Sequence, residues 1–112
     1  REHDIYKTVI EKKDYTLNIS GVEKDYQRKI IKALEKDGWF VIKVIRANKS
    51  GIPDITALKN GNTIYIEAKG PKTPLSKVQD YTLSELRRHG ANAFVAREGT
   101  DTISSVIKKA NS

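Results

Sequence analysis

The chain has 112 residues, a formal net charge of +7 and no cysteine. One domain with a modest core is expected, and disulfides, a thiol nucleophile and cysteine zinc sites are excluded. Its two histidines, His3 and His89, argue against a Ser-His triad or a histidine-rich metal site, so any catalytic metal would be oxygen-bound, Mg2+ or Mn2+.

Residues 1–19 read as an N-terminal extension. Tyr15, Leu17 and Ile19 alternate as in a strand, while Ile5, Tyr6, Val9 and Ile10 fit a short helix and the β-branched density of Ile5, Thr8, Val9 and Ile10 fits a strand equally well. Two strands joined near Lys12-Lys13 are expected, covering the core edge or pairing with a second subunit. Residues 20–37 predict a helix capped by Ser20 and ended by Gly38. Val22, Tyr26, Ile30, Ala33 and Leu34 form its apolar stripe, and Glu23 and Gln27 border it. Ser20-Gly-Val-Glu23 has capping-box spacing, which gives Glu23 a structural role. Leaning into a metal site as a third carboxylate is its other role. Trp39 to Arg46 (WFVIKVIR) is a near-continuous apolar run and predicts a central strand. Asn48-Lys49-Ser50-Gly51 is a polar loop. Arg46, Lys49 and Ser50 are candidate phosphate contacts, with solvated loop polarity as the alternative.

The stretch from Gly51 to Gly70, GIPDITALKNGNTIYIEAKG, organises the rest. Asn60-Gly61 lies between two strand-like runs, Asp54 to Leu58 and Thr63 to Lys69. A type I′ turn needs φ > 0 at both central positions, which these two residues tolerate. The turn sets the register: Lys59 opposite Asn62, Leu58 opposite Thr63, Ala57 opposite Ile64, Thr56 opposite Tyr65, Ile55 opposite Ile66. Asp54 then faces Glu67, with Cβ atoms roughly 5 Å apart. Lys69 lies on the same face, roughly 7 Å further along. Ile55, Ala57, Ile64, Ile66 and Ala68 make the other face, which belongs to the core. Like charges directly opposed destabilise a sheet. A hard divalent cation is the natural reason to keep them, since Mg2+ is usually held by one or two carboxylates plus substrate phosphates. Lys69 would position a metal-activated water or offset phosphate charge. Singly, Pro-Asp and Glu-x-Lys are ordinary turn and strand composition. Across one register they point to catalysis.

Gly70-Pro71-Lys72-Thr73-Pro74 predicts a stiff loop. Leu75 to His89 predicts a helix closed by Gly90, with Leu75, Val78, Thr82 and Leu86 toward the sheet. Ser76-Lys-Val-Gln79 is a second capping box, so Gln79 also has a structural role available. Helix N-termini favour anions, which makes Lys72, Ser76 and Lys77 candidate phosphate contacts. Arg87, Arg88 and His89 fall in the last turn, where the macrodipole favours cations. Asn92 to Arg97 predicts a buried strand. Asp101 is expected to cap a last helix through Lys109, with Ile103, Val106 and Ile107 inward. From residue 20 the order is α-β-β-β-α-β-α, an α/β fold with a mixed central sheet flanked by helices. Charge is uneven: +1 over residues 1–37 and +6 over residues 38–112. A basic domain suits a polyanion, and a solvated basic surface is the alternative. Two acids within a basic field suit a metal-dependent phosphodiesterase. No apolar run approaches a membrane span and no secretory signal is visible, so a reducing, intracellular setting without a membrane partner is expected.

Pro53-Asp54 followed by Glu67-Ala68-Lys69 resembles the PD-(D/E)xK nuclease superfamily, and the α-β-β-β-α-β order is similar to its restriction-endonuclease-like core. Gly51-Ile52-Pro53-Asp54, Ile66-Glu67-Ala68-Lys69-Gly70, Leu75-Ser76-Lys77-Val78-Gln79 and a helix opening with Glu23 make the likeness closest to the VRR-Nuc branch and the related Holliday junction resolvases. It spans about residues 20–98, within one nuclease domain, with a C-terminal helix over 99–112. The resemblance implies a metal-dependent endodeoxyribonuclease. Asp54, Glu67 and the backbone carbonyl of Ala68 would bind Mg2+, with Mn2+ as a substitute. Lys69 would orient the attacking water, and Gln79 and Glu23 would sit at the edge of the site, Glu23 as a possible further ligand. Small members of the branch look like homodimers on branched DNA, which suits symmetric cutting of a four-way junction by two sites on a two-fold axis. The alternatives are a linear-DNA or flap nuclease, and a non-catalytic DNA-binding module on this scaffold. An RNA-processing enzyme of similar fold would normally use a histidine general base that is lacking here.

Overall fold

The computed structural model of the chain describes residues 21–112. The expectations for residues 1–19 and for the Ser20 cap lie outside them. The described elements are α1 (Gly21–Lys36), β1 (Phe40–Lys43), β2 (Ile55–Lys59), β3 (Asn62–Lys69), α2 (Lys77–Arg88), β4 (Asn92–Arg97) and α3 (Ile103–Ala110). Among the described residues a four-stranded sheet runs in the order β1-β2-β3-β4. β1 to β3 form an antiparallel meander, and β4 joins β3 in parallel after the α2 crossover.

The hairpin follows from its turn. Asn60 and Gly61 both adopt positive φ, 50° and 81°, as a type I′ turn requires. The pairing runs from Lys59↔Asn62 to Ile55↔Ile66, the register expected from the turn. Side chains alternate across a strand. Ile55, Ala57, Ile64, Ile66 and Ala68 therefore share one face, and all are fully buried. They pack with Tyr26, Ile30 and Leu34 of α1 and with Val106 and Ala110 of α3 in a single core. The Tyr26 hydroxyl donates to the Asp101 carbonyl at 2.6 Å, tying α1 to the turn before α3.

Four expectations need correction. Among the described residues, the apolar run after Trp39 makes an edge strand rather than a central one. Val41 packs against the core, while Phe40 is 70% exposed and Ile42 is 42% exposed on the open face. A continuous apolar run signals strand without telling centre from edge. α1 buries Gln27, and Val22 is exposed. α2 begins at Lys77 after its N-cap Ser76, so Leu75 precedes the helix. Its buried face is Thr82 and Leu83, with Val78 half exposed. α3 is capped by Thr102, whose hydroxyl accepts from Ser105 N at 3.1 Å. The Asp101 carboxylate instead accepts from Arg97 N at 2.9 Å.

Candidate active site

Glu67 stands in β3 between two paired strands, opposite Val95 of β4, and only 3% of it is exposed. Asp54 precedes the first residue of β2, and its carbonyl accepts from Val44 N at 2.7 Å. One step beyond the last ladder pair, Ile55↔Ile66, the Asp54 and Glu67 carboxyls come within hydrogen-bonding reach of each other. Lys69 is likewise buried, with Nζ 4.0 Å from Glu67 Oε2.

This is an electrostatically expensive arrangement. Burial is the main force pushing the Glu67 carboxyl up to about 9; the Asp54 charge and a hydrogen bond to Asp54 add to it, and Lys69 opposes it. Asp54 is also raised, chiefly by burial, while the Lys43 charge and the bond from Glu67 hold it down. The pair shares a proton when nothing else compensates it. Glu67 Oε2 receives Gln79 Nε2 at 3.4 Å. Glu67 Oε1 is buried without a hydrogen-bond partner.

The other expected residues fall as follows. Gln79 occupies two positions at once. It completes the capping box, accepting from Ser76 N at 3.0 Å and donating its own N–H to Ser76 Oγ at 3.1 Å, and its amide reaches Glu67. Glu23 comes from α1, where Oε1 accepts from Gly70 N at 2.9 Å, and its charge raises both acids. Ala68 is fully buried between Glu67 and Lys69. Arg46, Lys49, Ser50, Lys72, Ser76 and Lys77 are exposed on the segments that flank the pair. The Ser76 hydroxyl is engaged as the helix cap.

Two residues at the site escaped the sequence reading. Lys43 is 7% exposed and donates to Gln27 Oε1. A lysine within an otherwise apolar strand, opposite a glutamine on the border of a helix stripe, was the available signal. Arg97 ends β4 and donates from Nη1 to the carbonyls of Gly70 (2.9 Å) and Thr73 (2.7 Å), pinning the loop after Lys69. Two concavities, of about 460 and 400 Å3, lie beside the Asn60-Gly61 turn and along α1, and neither is lined by Asp54 or Glu67.

Comparison with known proteins identifies the family and the fold. The VRR-NUC domain family model matches residues 1–98. A solved VRR-NUC domain is 26% identical, with a TM-score of 0.66, over 80% of this chain and 94% of that one. A Holliday junction resolvase from the archaeal hyperthermophile Archaeoglobus fulgidus is 31% identical, with a TM-score of 0.52, over 66% of each chain. No curated protein matches the chain. The mixed sheet and its helices have the restriction-endonuclease-like fold. The chain thus belongs to the VRR-NUC domain family, within the PD-(D/E)xK nuclease superfamily.

Proposed function

We propose that the chain is a divalent-cation-dependent endodeoxyribonuclease for branched DNA that works as an intracellular homodimer. The observation that carries this reading is the opposed acid pair, with Glu67 Oε1 buried and unpartnered. A buried acceptor without a donor costs about 1–3 kcal/mol, and a second carboxylate beside it adds repulsion. A hard cation relieves both, so the donor set fits one. Among the described residues no group of three His, Cys, Asp or Glu side chains clusters at metal-holding distance. The ion would be held by Asp54, Glu67 and the Ala68 carbonyl, with water completing its shell and Glu23 at the margin. Bound there, Mg2+ (or Mn2+) would supply positive charge to the phosphate and ease deprotonation of water.

The side chains have separate tasks. Lys69 orients the attacking water and offsets charge on the phosphate. Gln79 fixes Glu67 Oε2, and Glu23 holds the Gly70 amide where the chain leaves β3. Arg46, Lys49, Lys72 and Lys77 meet the DNA backbone, which positions a substrate without reading its sequence. The water oxygen bonds to phosphorus in line and the P–O3′ bond breaks. One water proton is lost to solvent and the 3′ oxygen takes up another, leaving a 5′-phosphate. Likeness to a Holliday junction resolvase supports a branched substrate, and two sites related by a two-fold axis suit it. Among the described residues no helix is long and apolar enough to cross a membrane.

The test is cleavage of labelled four-way junction, flap and linear duplex DNA in Mg2+, with EDTA controls and Lys69→Ala alongside. Symmetric nicking of the junction, lost in EDTA and in the variant, is expected. Cutting of flap or linear DNA instead replaces the substrate and keeps the chemistry. Tight binding with no cutting overturns the enzyme and favours the non-catalytic module.

A further inference from the structure

The two carboxylates are held by different means. Glu67 lies inside β3, with a strand on either side. Asp54 lies just outside the ladder, before the first paired residue Ile55, at the end of the connection that leaves β1. Something must fix that connection if the acids are to keep their separation.

The fixing element is α2. Thr82 is 9% exposed, and its hydroxyl donates to the Ser50 carbonyl at 2.9 Å. A helix threonine commonly returns its hydroxyl to the carbonyl four residues back, so donation to a separate segment is informative. Gly51 follows directly, at φ +74°, and an added Cβ would come within 2.6 Å of both Val78 Cγ1 and the Val78 carbonyl oxygen. The connection therefore lies against the α2 backbone, closer than any residue with a side chain permits. Pro53 is buried next in line, and Asp54 follows. On the same helix, Gln79 reaches Glu67. Thr82 is one turn away, a rise of roughly 4.5 Å.

We propose that α2 sets the separation of the two carboxylates, with Thr82 as the positioning residue for Asp54. The inference rests on the nuclease reading of the pair. A rival explanation is that Thr82 only anchors a surface segment and contributes stability. The two differ in what they do to the acids.

Thr82→Val keeps the side-chain shape and removes the donor. Steady-state cleavage in Mg2+ gives kcat and KM, and calorimetric titration of Mn2+ without DNA reads the pair directly. Thr82→Val is expected to lower kcat and weaken Mn2+ affinity by about tenfold or more, the range seen when a support of a metal ligand is lost. KM for DNA stays within about twofold, because Thr82 touches no substrate. Thr82→Ser restores both readings. Val78→Ala, at a half-exposed position, moves both the same way by a smaller factor. A lower melting temperature with wild-type kcat and Mn2+ affinity in Thr82→Val and Val78→Ala overturns the inference alone. A wild type that neither cuts DNA nor binds Mn2+ overturns the nuclease reading and this inference with it.

Discussion

The two ends of the β2–β3 hairpin share one ladder and treat their charges in opposite ways. At the turn end, Asn60 and Gly61 take the backbone angles the turn needs. Lys59 Nζ donates to the Asp37 carbonyl at 2.6 Å and to Asp37 Oδ2 at 3.3 Å, and Asn111 Nδ2 donates to that carboxylate at 2.9 Å. Those bonds, Asn111 first, hold the Asp37 carboxyl below its usual range. At the other end two carboxylates face each other, Glu67 is pushed up to about 9, and one buried oxygen has no donor. Local rules are met at one end and broken at the other. Such breaks concentrate where a ligand resolves them, and here they concentrate on Asp54 and Glu67.

The contrast can be broken from either side. The largest effect belongs to the acid end: Asp54→Ala, Glu67→Ala and Lys69→Ala each reduce DNA cleavage to roughly a thousandth of wild type or less, with circular dichroism unchanged. Gln79→Ala comes next, because it touches both worlds. It loses the capping box, worth about 0.5–1 kcal/mol, and also lowers kcat by roughly tenfold or more. A cap-only role lowers the melting temperature alone.

In metal-free buffer the acid end acts on stability with a defined sign. Glu67 has its proton-binding midpoint raised from 4.5 to about 9 on folding. The folded state holds that proton more tightly, so the stabilisation is complete below pH 4.5 and is lost as pH climbs to about 9. Melting temperature in EDTA therefore falls over this window. Glu67→Gln flattens the fall, and both Glu67→Gln and Asp54→Asn melt higher than wild type near pH 8. Equal or lower values for both count against opposed carboxylates. The smallest effects belong to the turn end. Gly61→Ala places a side chain at φ 81° and costs about 1 kcal/mol, with cleavage unchanged. Lys59→Ala lowers the melting temperature slightly and leaves cleavage alone.

Much of this was legible in the sequence because the hairpin is a local problem. Asn60-Gly61 specifies its own turn, and a two-residue turn fixes each opposed pair, so Ile55, Ala57, Ile64 and Ile66 could be placed in the core and Asp54 placed opposite Glu67. The cap formed by Gln79 was legible for the same reason, since Ser76 lies three residues away, whereas its place beside Glu67 was implied only by the family resemblance. What escaped depends on distant partners. Lys43 meets Gln27 across sixteen positions and Thr82 meets Ser50 across thirty-two, and neither pairing leaves a periodic trace. Whether β1 is central or at the edge depends on what covers Phe40, which an apolar run does not reveal. The one-step error on α2 arose because Val78 suits a buried stripe, yet it turns toward Gly51 and stays half exposed.

The central claim is that the acid pair is kept for a cation. It is tested most directly by calorimetric titration of Mn2+ into the wild-type chain and into Glu67→Gln, without DNA. A saturable site in the wild type that disappears in the variant is the predicted result, with the melting temperature of the wild type alone rising as the ion is added. Equal binding by both proteins, or none by a folded wild type, would contradict it and leave the buried Glu67 oxygen to another partner.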